Sequence, residues 1–242
     1  METIELKNIK GKVLYSYTCE NNNISKTLKQ AVEENVYLNS VVLKDVTIEN
    51  INLINLSLKG ATLMNVVINN SSLEHSDLSD TKIFNSHFYN TSLAETNFSF
   101  ASIINDTFTD CYLSSAIFND SFLQDVNFKG KIYLYNTSFL KIRYGRINLY
   151  DKGVVKNSHD VAYIGNIGSR NSYTNVFNTD KGIFVSCGCF FGTLEEFEKE
   201  VLITHKYYPQ YKKEYLDMIE YIKKRFNYKS KFSWKSIIPF IK

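Results

Sequence analysis

Proline, cysteine and histidine are scarce in this sequence: its 242 residues include 2 Pro, 4 Cys and 4 His. It has no run of 18 apolar residues and no signal-peptide pattern, so we expect a cytoplasmic, reduced protein without a membrane-spanning helix. The histidines lack the spacing of a metal site. No nucleophile, base and orienting residue can be assembled from the spacing either. We therefore expect no metal, no cofactor and no enzymatic activity.

Two of the four cysteines form a Cys-Gly-Cys motif at Cys187 and Cys189. We interpret the motif as part of a strand, which would place both thiols on one face. Zinc would need two further ligands, and His205 alone is a poor candidate. Buried core cysteines are therefore the favoured interpretation, with a metal site and a redox site as the alternatives.

A large apolar residue recurs at every fifth position. From Leu38 to Phe128, nineteen consecutive positions at this spacing are Leu, Ile or Phe, and the residue two before each is mostly small. Asp106 is the only charged residue in that second series. After a slip of one residue near Gly130, the large residues continue as Leu134, Phe139, Tyr144 and Leu149. A period of five fits neither a helix nor a strand and predicts a repeat architecture.

We interpret the repeat as a solenoid with four sides of five residues each. Two residues of each side point inward and three face water, so that twenty residues complete one coil. Neighbouring coils would pair at the strand spacing of about 4.8 Å, which gives a rod about 28 Å long. Asn or Asp often lies two residues after the large residue, as at Asn85 and Asn90. We expect these side chains to hydrogen-bond their own backbone at the corners.

The segments "HSDLSD", "ETNFSF" and "DVNFKG" are close to A-(D/N)-L-x-x, the consensus of the pentapeptide-repeat proteins, which this chain resembles. The resemblance implies a right-handed quadrilateral β-helix. Some proteins of this family protect or inhibit DNA gyrase by imitating duplex DNA with an acidic rod. The N-terminal "GKVLYSYTCENNNISKTLKQAVEE", the repeats and "IGSRNSYTNVFNTDKGIFVSCGCFFGTLEEFEKEV" together are similar to a type found in bacteriophages and prophages. This second resemblance implies a viral or prophage origin.

The predicted fold class is a β-solenoid followed by a small α+β domain. A strand over 11–19 and a helix with Ile24, Leu28 and Ala31 on its apolar face would cap the first coil. After the repeats we expect a hairpin across residues 180–182 and two helices, the first opening on a capping box of Thr193 and Glu196. The predicted units are a cap (1–35), the solenoid (36–150), an α+β domain (151–226) and a basic aromatic tail (227–242).

Large apolar residues at outward positions are the candidate interaction site, because clustered exposed apolar groups indicate an interface. Residues twenty apart stack on adjacent coils, and one such outward column has three apolar residues in its middle. That column is Lys44, Met64, Phe84, Ile104 and Gln124, and the other outward candidates are Tyr89, Phe100, Tyr112 and Phe122. A foreign protein, a second copy of the chain, or the C-terminal domain folded back along the rod could cover them.

Two further segments are candidate binding elements. Gly168, Ser169 and Arg170 could offer backbone amides and a guanidinium group to a small anion, although a plain turn is the simpler interpretation. Residues 221–242 contain 7 Lys/Arg and no acid, mixed with aromatic residues. For this tail we retain a weak membrane contact as an alternative to simple docking on the protein, and DNA is not favoured.

The favoured function is that of a non-enzymatic phage or prophage protein that binds a host protein, such as a defence component. The first alternative is a DNA-mimicking modulator of gyrase. Residues 36–130 hold 10 Asp/Glu against 4 Lys/Arg, but the acids line up only sparsely along the corners. The second alternative is a binder of a small, anionic, nucleotide-like ligand.

Overall fold

The computed structural model describes residues 1–155, 159–169 and 172–228. The chain opens with an antiparallel pair, β1 (Glu2–Lys7) and β2 (Val13–Cys19), followed by helix α1 (Ile24–Glu33). The predicted helix is confirmed: the Asn23 side chain accepts a hydrogen bond from the Lys26 N–H at 2.8 Å and caps it. Leu28 and Ala31 are fully buried against the first coils. Strand β1 was not predicted from the sequence.

Ten short strands form the first two sides of the repeating coils. They are β3 (Val42–Lys44), β4 (Thr47–Glu49), β5 (Thr62–Met64), β6 (Val67–Asn69), β7 (Lys82–Phe84), β8 (His87–Tyr89), β9 (Ser102–Ile104), β10 (Thr107–Thr109), β11 (Phe122–Gln124) and β12 (Val126–Lys129). Odd-numbered strands stack in parallel on the first side, and even-numbered strands stack on the second. The third and fourth sides pair through single bridges, such as Ser72 with Ser92 and Asp77 with Asn97. The predicted four-sided β-solenoid is confirmed, and its handedness stays a prediction.

The interior of the solenoid contains the large residues that the period of five predicts. All nineteen from Leu38 to Phe128 are buried, each with at most 3% of its surface exposed. Phenylalanines on successive coils stack face to face: the ring centroids of Phe88 and Phe108 are 4.8 Å apart, and those of Phe98 and Phe118 are also 4.8 Å apart. Stacked rings of this kind add to the free energy of area burial and favour a fixed distance between coils.

Asp106 is the charged exception in the series of small inward residues, and it is fully buried. One carboxylate oxygen accepts a hydrogen bond from the Ser86 N–H on the preceding coil, whereas the other has no partner among the described residues. Burial raises the pKa of this carboxyl to about 7, against a smaller lowering by the backbone hydrogen bonds from Ser86 and Ile104. The core therefore favours the neutral form of Asp106.

The corners of the coils place every fifth residue in the left-handed region of backbone conformation, as at Asn85 (φ 52°). Asn and Asp tolerate this region better than most residues, which accounts for their frequency at the corners. Among the described residues, the corner side chains do not make the expected hydrogen bonds to their own backbone. Corner side chains instead bond between coils, as Asn105 donates to Asn85 at 2.7 Å. The residue just before the large one makes the local bond: Asp77 and Asn97 each accept from the N–H two residues later.

The predicted register slip is confirmed. Beyond Gly130 the paired residues are 21 apart, as in Tyr112 with Tyr133 and Val126 with Ile147. The coils end at β13 (Arg143–Tyr144) and β14 (Ile147–Asn148), followed by a 3₁₀ helix (Tyr150–Lys152) and β15 (Val154–Val155). Leu134, Phe139 and Leu149 are buried as predicted, and the side chain of Tyr144 lies outside the described part.

A four-stranded antiparallel sheet and two helices follow the coils. Their bounds are β16 (Val161–Ile167), β17 (Ser172–Thr179), β18 (Gly182–Cys187), β19 (Phe190–Thr193), α2 (Leu194–Thr204) and α3 (Pro209–Arg225). The predicted hairpin is confirmed by the pairing of Thr179 with Gly182, and the predicted capping box of Thr193 and Glu196 is present. Strand β16 was not predicted from the sequence.

The interpretation of the Cys-Gly-Cys motif as one strand was wrong. Gly188 lies in the left-handed region (φ 57°) and turns the chain, so that Cys187 ends β18 and Cys189 lies in the turn before β19. Cys187 is buried and Cys189 is exposed, and neither forms a disulfide. The two thiols therefore lie in different environments.

The sheet packs on the last coil and covers the end of the solenoid. Asn175 donates to the Thr137 carbonyl at 2.6 Å, Ser186 donates to the Leu134 carbonyl at 3.1 Å, and Phe177 packs edge-on against Phe139. Helices α2 and α3 pack on the other face of the sheet in a second core. An open solenoid exposes unpaired strand edges and core, and this sheet protects them.

Candidate functional site

The predicted outward column lies on the first side of the solenoid, where β3, β5, β7, β9 and β11 stack in register. Met64 pairs with Phe84, and Phe84 pairs with Ile104. Lys44 and Gln124 continue the same row at its two ends. These three apolar side chains are half-buried, because each is flanked by its neighbours in the row. The stacking that was predicted from residues twenty apart is therefore present.

Two other candidates lie on or beside the same side of the solenoid. Phe122 pairs with Ser102 on the same sheet, next to the coil of Ile104. Phe100 occupies the corner that leads into β9, and 62% of its surface is exposed. We define the apolar patch as Met64, Phe84, Phe100, Ile104 and Phe122. It extends over about 14 Å along the rod, from the spacing of about 4.8 Å between coils.

The remaining two aromatic candidates lie on other sides. Tyr89 ends β8 on the second side, and 49% of its surface is exposed. Tyr112 belongs to the third side, where its ring stacks on that of Tyr133 at a centroid distance of 4.4 Å. A hydrogen bond with Tyr133 raises the pKa of the Tyr112 hydroxyl. The structure thus places five of the seven candidate residues on or beside the first side and Tyr89 and Tyr112 on other sides.

Phe100 has an unusual backbone for its size. Its φ is 62°, in the left-handed region that bulky side chains rarely adopt, and the corresponding corners of the neighbouring coils are Asp80 and Asp120. A phenylalanine at this corner therefore costs conformational free energy without adding to the core. Residues held in such conformations cluster at binding and catalytic sites. Phe100 is the member of the patch that packing of the solenoid explains least.

Polar and charged residues surround the patch. Along one edge, Asn65 donates to the Asp45 carboxylate at 2.6 Å, and a similar bond joins Asn105 to Asn85. Lys82 lies on the strand of Phe84, and Arg143 pairs with Phe122 at the far end of the sheet. An apolar centre with a polar rim is the usual anatomy of a protein–protein interface.

The candidate anion-binding loop is occupied from within the chain, as far as the structure describes it. The Gly168 N–H donates to the Glu214 carboxylate of α3 at 2.8 Å. A Cβ at residue 168 would overlap the Tyr215 side chain, which explains the glycine. Ser169 is exposed, and Arg170 lies outside the described residues. The Gly168 amide, which was one candidate group for binding a small anion, therefore binds a carboxylate of the protein.

No other site emerges from the predicted chemistry of the described residues. Within 1–155, 159–169 and 172–228, no three His, Cys, Asp or Glu side chains come together as a metal site would require. None of the helices in these ranges has an apolar stretch sufficient to cross a bilayer. The basic tail, from residue 229 onward, lies outside the described residues. One further feature was not predicted from the sequence: a cleft at the end of the solenoid, which no motif marks.

A match to a protein family supports the repeat assignment. Residues 42–80 match the family described as Pentapeptide repeats, in 8 copies. No curated protein sequence matches the chain. Among solved structures, the chain is similar to full-length QnrB1, a plasmid-mediated fluoroquinolone resistance protein, with 20% identity, a TM-score of 0.30, and coverage of 35% of this chain and 42% of QnrB1. The match thus spans less than half of QnrB1.

A second similar structure is HetL from the cyanobacterium Nostoc sp. strain PCC 7120, a pentapeptide-repeat protein involved in heterocyst differentiation regulation. It has 14% identity and a TM-score of 0.20, with 52% of this chain and 74% of HetL covered. A third is Rfr23 from the cyanobacterium Cyanothece 51142, with 22% identity, a TM-score of 0.18, and coverage of 43% of this chain and 60% of Rfr23. Scores this low carry no functional argument.

Proposed function

We propose that this pentapeptide-repeat protein is a non-enzymatic binding protein that docks another protein on the apolar patch. The observation that carries the proposal is the half-buried, outward-facing row of Met64, Phe84 and Ile104 beside the strained Phe100. A rod surface that only faced water would need none of these side chains. The patch is about 14 Å long, and five side chains cover only part of the area of about 800 Å² per partner that a complete interface buries. The polar rim would therefore supply the remaining contact area.

The resemblance to phage and prophage proteins makes a host protein, such as a defence component, the proposed partner. The observed position of the C-terminal sheet supports an external partner. Among the described residues, the side-chain hydrogen bonds from the sheet to the coils reach Leu134, Thr137 and Ser138, at the end of the rod. The sheet therefore leaves the side with Phe84 accessible.

The test compares the wild-type protein with two variants of one coil. Phe84→Glu places a charge in the centre of the patch, whereas His87→Glu places it on the adjacent side and serves as the control. Each tagged protein is incubated with host lysate, and the recovered proteins are quantified by mass spectrometry. The recovered partner is then purified, and its affinity is measured by calorimetry. We expect Phe84→Glu to weaken binding at least tenfold and His87→Glu to leave it unchanged.

Two outcomes contradict this proposal. Equal affinity of all three proteins for the partner would show that the patch is not the docking site. A dimer that light scattering detects in the wild type but not in Phe84→Glu would show that a second copy covers the patch instead.

Modulation of gyrase by DNA mimicry is the alternative that the charge distribution favours less. Over residues 36–130 a DNA-like rod would carry about 13 negative charges, from one charge per 1.7 Å. The chain has 10 acids there, one of which is the buried Asp106, against 4 bases. Some of the acids are paired, as Asp80 lies 3.7 Å from Lys59 and Glu95 lies 3.1 Å from His75. A supercoiling assay in which excess protein changes the gyrase rate would favour this alternative.

A further inference from the structure

A cleft of about 740 Å³ lies where the last coil of the solenoid meets the C-terminal sheet. Tyr133 and Tyr135 line it from the third side of the coils, and Phe190 and Phe191 line it from β19. Its volume lies within the range of about 300–1,000 Å³ that is typical of small-molecule sites. The apolar patch lies on the first side of the rod, so the cleft and the patch are on opposite sides.

The register slip creates the solenoid wall of this cleft. Lys131 is the additional residue, and its N–H donates to the Asp110 carboxylate of the preceding coil at 2.8 Å. Gly130, just before it, has a φ of 65° and no room for a Cβ beside the same carboxylate. The insertion places an exposed lysine at the cleft where the regular coils have none. A bulge of this kind often re-aims side chains next to a binding site.

A second lysine is fixed on the other wall. The Lys152 ammonium lies 5.2 Å from the centroid of the Phe191 ring and 5.8 Å from that of Phe184. It also pairs with the Asp151 carboxylate at 3.1 Å, and only 23% of its side chain is exposed. Lys181 donates to the Asp151 carbonyl at 3.1 Å and adds a further positive charge nearby. Among the residues that line the cleft, Lys131 and Lys152 carry positive charge and Asp151 carries negative charge, while the Asp110 carboxylate lies beside Lys131. The lining therefore has a small excess of positive charge.

The aromatic residues of the cleft pack against other rings. The Tyr133 ring stacks on Tyr112 at 4.4 Å with an interplanar angle of 5°, which fixes its plane at the cleft. Phe190 packs against Phe197 of α2 at a centroid distance of 5.2 Å. Aromatic rings held in this way offer flat surfaces on which a planar ligand ring can stack.

We propose that this cleft binds a small aromatic anion, namely a nucleotide or a compound of the same build. The planar ring of the ligand stacks on the tyrosine and phenylalanine rings, and its phosphates meet Lys131 and Lys152. Aromatic walls alone would suit any apolar ligand, and lysines alone would suit any anion. Their combination in one cleft selects a ligand that has both parts. The site is independent of the proposed docking of a protein on the apolar patch.

The experiment uses the full chain and three probes: ATP, tripolyphosphate and adenosine. Calorimetry measures the dissociation constant of each. ATP has both parts of the proposed ligand, whereas each of the other probes has only one. We expect ATP to bind at least tenfold more tightly than either of the other two. Tripolyphosphate binding as tightly as ATP, or an absence of saturable ATP binding up to millimolar concentrations, would overturn the proposal.

Three variants locate the site. Lys131→Gln removes an exposed charge and should weaken ATP binding about tenfold without a change in thermal stability. Lys152→Gln should weaken it at least as much, with a melting curve to check that the packing on Phe191 survives. Lys59→Gln, which removes a lysine far from the cleft, is the matched control and should change nothing. Undiminished ATP binding by Lys131→Gln would exclude this cleft even if Lys152→Gln does not fold.

Discussion

The regular coils and the last coil are built from the same repeat but differ in register and surface. Up to β12 the paired residues are 20 apart, and acids outnumber bases. Beyond Gly130 they are 21 apart, and Lys131, Lys141 and Arg143 make the surface basic. Coils with the same register present similar surfaces, whereas one inserted residue gives the last coil a surface that the other coils do not have. The proposed cleft arises from that insertion.

The largest expected effect comes from the core of the regular coils. Phe108 stacks between Phe88 and Phe128, so Phe108→Ala should lower the free energy of unfolding by about 3–5 kcal/mol. Phe191 is half-buried at the junction, and Phe191→Ala should lower the free energy of unfolding by about 1–2 kcal/mol. Urea denaturation of both variants measures the difference. A larger cost at Phe191 would mean that the junction, and not the coil core, limits stability.

Asp106 should make the stability of the coils depend on pH. Its folded pKa of about 7 lies above the ordinary value, so the folded state binds the proton more tightly than the unfolded state. Its contribution to stability is therefore greatest below about pH 4, falls as pH rises towards 7, and is constant above that. Asp106→Asn keeps an acceptor for the Ser86 N–H without a charge. At pH 8 it should stabilise the protein by on the order of 2–4 kcal/mol.

Denaturation curves at pH 4, 6 and 8 test this prediction. The difference in stability between Asp106→Asn and the wild type should grow between pH 4 and 7. An equal difference at all three values would show that the folded pKa of Asp106 is not raised. Asp110→Asn is unsuitable as a control, because Asp110 holds the Lys131 backbone.

Two glycines compare the slip with a regular corner directly. Gly130 and Gly60 have nearly the same φ, 65° and 67°. A Cβ at Gly60 would lie 3.3 Å from the Ser40 hydroxyl, whereas one at Gly130 would overlap the Asp110 carboxylate. We expect Gly60→Ala to lower the free energy of unfolding by about 1 kcal/mol and Gly130→Ala to lower it by about 2–3 kcal/mol. Equal melting temperatures of the two variants would contradict the special role of Asp110 at the slip.

The smallest effect is expected at the corner in the apolar patch. Phe100→Asn relieves the left-handed strain and should stabilise the protein by about 1 kcal/mol. Phe100→Leu keeps a bulky residue at this φ and should not stabilise it. Thermal unfolding measures both. If Phe100→Asn also weakens partner binding, Phe100 lowers stability but contributes to binding. Unchanged binding would show that Phe100 is not part of the docking site.

The periodic part of the fold could be predicted from the sequence because each coil repeats the same local contacts. Burial from Leu38 to Phe128, the slip at Gly130 and the row of Phe84 all follow from counting residues. The elements outside the repeat were harder to predict from the sequence. β16 and the turn at Gly188 depend on antiparallel partners and on one left-handed glycine, which no periodicity marks.

The candidate sites likewise include some that could be predicted from the sequence and some that could not. The row of Met64, Phe84 and Ile104 could be found from the sequence, because the solenoid converts a spacing of twenty into contact. The occupation of the Gly168 amide by Glu214 could not, since 46 residues separate them. The cleft also escaped prediction, because its walls come from the slipped coil and from β19.

By itself, the sequence determined the four-sided solenoid, the content of its core and the rows along its sides, because a period of five fixes which residues face inward. Only the tertiary structure decided which sides stay accessible. The C-terminal sheet could have covered the side with Phe84 or the end of the rod, and the local pattern is the same in both cases. Asn175, Phe177 and Ser186 fit the last coil, so that, within the part of the chain that the structure describes, the sheet does not cover the patch and forms one wall of the cleft.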